Sequence, residues 1–154
     1  MATDSISSDA SRAAVARLIA GFFAGFLAVL VFHQSVLLYL HLIGFTKASA
    51  FSMHHTAPFG LPQVLSLSFW GGVWGVIFAR IAPRLPHGAA YWLGALVFGA
   101  IFPSLVAWFV VFPLKGLPIA AGWHAKAMAT GLLVNGAWGF GTALFMLPMR
   151  KRPI

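Results

Sequence analysis

Four long apolar runs, separated by short connections, fill the chain from Leu18 to Leu147. They extend over about residues 18–43, 61–81, 90–112 and 126–147. A helix needs roughly 20 apolar residues to cross a bilayer, and all four runs meet that length. Four in succession predict an all-α, polytopic membrane protein with four transmembrane helices in a bundle. The chain divides into a polar, flexible N-terminal segment (1–17), the transmembrane domain (18–149) and a basic tail (150–154). Arg12 and Arg17 precede the first run as in a signal peptide. That run far exceeds the usual 7–15 residue apolar core of such a peptide, which predicts an uncleaved first span. Pro62 falls in the first turn of the second span, where its missing N–H costs little. Pro103 lies mid-span in the third and predicts a kink.

Basic residues orient the spans. With the N-terminus inside, Arg12, Arg17, Arg80, Arg84, Arg150, Lys151 and Arg152 face the cytoplasm and only Lys47, Lys115 and Lys126 lie outside. The positive-inside rule therefore places both termini in the cytoplasm. The inner connection, residues 82–88, is short and predicts antiparallel neighbours on either side of it. The outer connections, about 44–60 and 113–125, are longer. The expected location is the plasma membrane, as a multi-pass protein of a bacterial inner membrane.

Composition sharpens this picture. Apolar residues make up 60% of the 154 positions and charged ones only 8%, against about a quarter in soluble domains. The net charge is +8, and the only acidic side chains are Asp4 and Asp9. Basic residues at span ends favour anionic lipid headgroups as partners, not nucleic acid. The chain has no cysteine, so disulfides and thiolate metal sites are excluded.

The acid-free stretch also limits the chemistry. An intramembrane carboxylate of the kind proton-coupled transporters use is missing, as are carboxylate acid–base pairs and carboxylate-held cations. No phosphate-binding glycine loop with a lysine occurs. Serine and threonine lack an orienting acid, although a Ser/His pair stays open. An enzyme is not expected, and neither is a cofactor.

Small residues mark helix contacts. Gly21 and Gly25 form a G-x-x-x-G in the first span; Gly71, Gly72 and Gly75 line the second; Gly131, Gly136, Gly139 and Gly141 line the fourth. Such residues let backbones approach in lipid, and packing within one chain is favoured over a dimer contact. Gly72-Val-Trp74-Gly75 and Gly136-Ala-Trp138-Gly139 look alike, and each follows a Gly-Leu-Pro (at residues 60 and 116). Two tandem hairpins related by an axis along the membrane normal explain the likeness; chance recurrence of Gly and Trp, common in membrane helices, is the alternative. Asn135, beside Gly136, is the polar residue placed deepest in the fourth span.

Trp92, Trp108 and Trp123 are placed at the interfaces, and Trp70, Trp74 and Trp138 deeper, as packing wedges or as walls for a planar ligand. Histidine is the most capable side chain left. His33 and His124 are the pair nearest to what a haem would need, and His54 with His55 and Met53 are the candidates for a copper or zinc ion. Hydrogen-bonded or headgroup-wetted histidines are the alternative. The expected function is a non-catalytic accessory or assembly subunit of a larger membrane complex, its partners other subunits or a second copy. A small oligomeric transporter or channel is the first alternative, and an outer-side haem, metal or quinone-binding protein the second.

Overall fold

The computed structural model describes the backbone of residues 2–57 and 59–150, and the side chains of 10–57 and 59–149. The fold is helical apart from one tiny hairpin. α1 (Ala2–Ala28) passes through a single wider turn (Val29–His33) into α2 (Gln34–Leu42). The strands β1 (His55–Thr56) and β2 (Leu61–Pro62) pair antiparallel, with His55 opposite Pro62. Next come α3 (Gln63–Ile81), α4 (Ala89–Val106), a second wide turn (Ala107–Val111) and the short α5 (Phe112–Leu114). The chain ends in α6 (Ala125–Phe145) and α7 (Leu147–Arg150).

Three helical stretches are long and apolar enough to cross a membrane: Ala10–Leu42, Gln63–Arg84 and Ala89–Leu114. α6 has the length, but its four glycines with Thr130, Asn135 and Thr142 dilute its apolarity. α1 extends back through the polar N-terminal segment to Ala2. No glycine or proline precedes Gly21, so nothing stops the helix from extending back. Residues 151–154 of the basic tail lie outside the described residues.

Two backbone-to-backbone crossings hold the bundle. In the first, α1 meets α3: a Cβ on Gly25 would strike the Gly71 carbonyl oxygen and lie 2.9 Å from Gly75 Cα. A Cβ on Gly75 would strike the Gly21 carbonyl oxygen and lie 3.0 Å from Gly25 Cα. In the second, α4 meets α6 in the same way. A Cβ on Gly99 would strike the Asn135 carbonyl oxygen and lie 2.7 Å from Gly139 Cα. One on Gly139 would strike the Ala95 carbonyl oxygen and lie 2.9 Å from Gly99 Cα. Gly21, Gly25, Gly71 and Gly75 thus correspond in turn to Ala95, Gly99, Asn135 and Gly139, and the two hairpins repeat one contact. Close approach without side chains between gains dispersion contacts, which drive association where water is absent.

The seams between the hairpins differ. On one side α6 packs on α1 beside Ala24 and Ala28, and Trp138 Nε1 donates to the Gly25 carbonyl at 2.9 Å. On the other, Phe98 takes the place that Ala24 holds, and its ring stands 6.1 Å from Trp74 and 5.5 Å from Phe78. The expected neighbours α3 and α4 therefore touch through aromatic side chains, not through their backbones.

The ends are shaped locally. α2 stops at Gly44, whose φ of +70° suits only a residue without Cβ. Phe45 N–H returns to the Leu40 carbonyl and Gly44 N–H to that of His41, which satisfies the helix end. Before α6, Ala120, Ala121, Gly122 and Trp123 all have φ between +51° and +67°, a left-handed turn rare outside glycine. Proline at 103 stays inside α4, and Ala107 N–H is shared between the Pro103 and Ser104 carbonyls where the wide turn starts.

Candidate functional site

Polar side chains in the interior serve helix geometry, with one exception. Ser68 and Thr142 donate back to the carbonyls of Val64 and Trp138, one turn earlier. Asn135 Nδ2 donates to Ser104 Oγ at 3.0 Å, tying α6 to α4. Tyr91 O–H donates to the Ala143 carbonyl at 3.2 Å. His33 is the exception: it is 9% exposed, and its Nδ1 is the one buried side-chain polar atom, among the described residues, with no hydrogen-bond partner.

His33 closes the wide turn of Val29–His33, in which Gln34 N–H reaches the Val29 carbonyl, five residues back. That insertion changes which side chains face inward, so His33 and Gln34 are both buried although adjacent. Wide turns of this kind recur at functional positions. Gln34 is 1% exposed and its Oε1 accepts Phe51 N–H at 2.7 Å. Phe51, with φ +51°, thus bends the outer connection onto the bundle. The following residues cap α3: Gln63 N–H donates to the His54 carbonyl at 2.8 Å and Val64 N–H to that of Ser52 at 3.0 Å. Together these bonds fold the 44–60 connection against the start of α2 and of α3.

The other histidines lie elsewhere. His124 is exposed and precedes α6. His54 and His55 are exposed on the small hairpin, where the His55 Nδ1 sits 2.5 Å from the Gly60 carbonyl. Among the described residues no group of three His, Cys, Asp or Glu converges as metal ligands.

The tryptophans also redistribute. Trp108, near the end of the third apolar stretch, is 7% exposed and lies in the second wide turn. Trp92 is half-buried with its ring 5.1 Å from Phe140. Trp70, expected inside, is 59% exposed, because Gly71, Gly72 and Gly75 turn the opposite face of α3 inward. Trp123 stays exposed, 6.3 Å from Phe109. Of the packing glycines, Gly72 lies under the Phe22 ring, and Gly136 faces Ala100 and Leu96 at ordinary contact distance.

Sequence reasoning missed the Gln34–Phe51 link and the wide turns. Only Gln34, as a buried amide in an apolar run, gave a signal of the former. No protein-family model, curated protein or solved structure matches the chain.

Proposed function

We propose that the chain is a four-span protein of the bacterial inner membrane with both termini in the cytoplasm, acting as a non-catalytic accessory or assembly subunit of a larger membrane complex. α6 supplies the fourth span: it packs along α4 about as extensively as α1 packs along α3, and less extensively along α1. Arg12, Arg17, Arg80 and Arg84 then share the inner side, where Asp4 and Asp9 are the only acidic side chains set against anionic headgroups.

The observation that carries the subunit reading is the rim of the outer connections. Met53, Phe59 and Trp123 stand there 65–83% exposed on the connections, and Leu114, 82% exposed, ends the third apolar stretch beside them in sequence. Large apolar side chains gathered outside the helices fit a protein partner better than water. The interior supports the same reading, because its glycines and hydroxyls are committed to helix packing.

The test is tagged purification from membranes in mild detergent. Wild type is expected to bring stoichiometric partner chains, and the triple variant F59S/L114S/W123S to lose them while keeping its own melting temperature. A clean wild-type monomer in several mild detergents overturns the reading.

A further inference from the structure

We infer that the seam between α3 and α4 is a two-position joint with Phe98 as its wedge, and that its closed form places the Trp74 indole N–H on the Gly99 carbonyl. The counterpart seam in the same chain has that geometry. There Trp138, which precedes Gly139 as Trp74 precedes Gly75, is 2% exposed and donates to the Gly25 carbonyl at 2.9 Å. The register of the two hairpins extends beyond their crossing glycines: the Phe22 ring lies against Gly72, and Leu96, its counterpart, against Gly136. On that register the partner of Trp74 is Gly99. Trp74 is instead half-buried with its ring 6.1 Å from that of Phe98, and its indole N–H donates to no group among the described residues.

The difference lies in the side chains between the helices. Ala24 leaves α1 and α6 in contact, whereas Phe98, in the same place, inserts a ring between α3 and α4. Phe78, where α6 has Thr142, fills the seam towards the C-terminal end of α3 and stands 5.5 Å from Phe98. That ring stays when the wedge leaves, so it is the pivot, and the level of Trp74 is what closes. Phe98 has a place to go: its ring lies 5.2 Å from that of Phe102, which is 52% exposed. Acyl chains solvate an aromatic ring as readily as the protein does, so no hydrophobic force holds the wedge in. Its departure loses ring contacts with Trp74 and Phe78; closure gains an indole hydrogen bond away from water, and closer backbones. These terms are of similar size, which is the condition for two populated positions. A Cβ on Gly71 would lie 3.2 Å from Trp138 Nε1; Asn135, in the equivalent place, carries that Cβ, so the closed form is the tighter fit and the minor one.

The test uses the full chain with ¹⁵N-labelled tryptophan in phosphatidylcholine bicelles, the Trp74 indole signal being assigned by its loss in W74F. In wild type that signal is expected to show microsecond-to-millisecond relaxation dispersion, and the Trp138 signal none. F98A, which removes the wedge, is expected to abolish the dispersion and to slow deuterium exchange of the Trp74 indole about tenfold, towards that of Trp138. Spin labels on I77C and I101C, in a chain with no other cysteine, are expected to approach by about 2 Å in F98A, the spread of helix-pair separations. F98A with either the Trp74 exchange or the label distance unchanged overturns the inference. A wild-type Trp74 signal without dispersion overturns it as well, and this readout stands even where F98A fails to fold.

Discussion

At the scale of single residues, Gly21, Gly25, Gly75, Gly99 and Gly139 act as contact points where any side chain collides with facing backbone. Gly25 and Gly99 hold equivalent places in the two crossings, each with facing backbone inside the volume of a Cβ. Gly25→Val and Gly99→Val are each expected to lower stability in detergent by about 3 kcal/mol, read from unfolding in SDS. Gly136→Ala is the control: its Cβ would lie 3.5 Å from Ala100 Cβ, an ordinary contact, and the variant is expected to melt within a few degrees of wild type. Gly21, Gly25 and Gly75 were legible in the sequence because small residues at four-residue spacing have one main use in an apolar helix. Gly99 was not, since its partners in spacing are Ala95 and Pro103, and only the facing carbonyls reveal its role.

Among elements, the helices were legible and their irregularities were not. Long apolar runs specify where α1 to α6 lie because lipid-facing backbone must satisfy itself within each helix. The wide turns at Val29–His33 and Ala107–Val111 add no unusual composition and so leave no mark in the sequence. The bond from Gln34 to Phe51 joins residues 17 apart through an irregular loop, which periodicity cannot foresee. It predicts a measurable coupling. Gln34→Ala is expected to release residues 51–54, so that the amides of Phe51, Gln63 and Val64 exchange with deuterium at least tenfold faster. The amides of Val134 to Trp138, on another helix, are expected to stay protected. Unchanged exchange at Phe51 would show that the loop is held by its other contacts.

For the whole molecule, the prediction concerns orientation. The chain has no cysteine, so single cysteines placed at Lys47, His87 and Lys115 report topology without background. With both termini inside, an impermeant maleimide is expected to label Lys47→Cys and Lys115→Cys in intact cells, and His87→Cys only after the membrane is opened. The reverse pattern would invert the bundle, and labelling of Lys47 and Lys115 on opposite sides would remove one span. The charge distribution is what predicts this arrangement. The proposed partner of the rim is not legible in the same way, because exposed Phe59 and Trp123 offer apolar surface without specifying what would cover it.

The unequal seams give the molecule a direction in which to yield. Along α1 and α6 it is bound like the spine of a book, by alanines and by the indole of Trp138 on Gly25. The opposite edge rests on side chains, chiefly edge-on and tilted rings, with Phe98 as the bookmark that stops the covers from closing. Thermal breathing is therefore expected to part α3 from α4 first, giving a lipid tail its way in along that fore-edge.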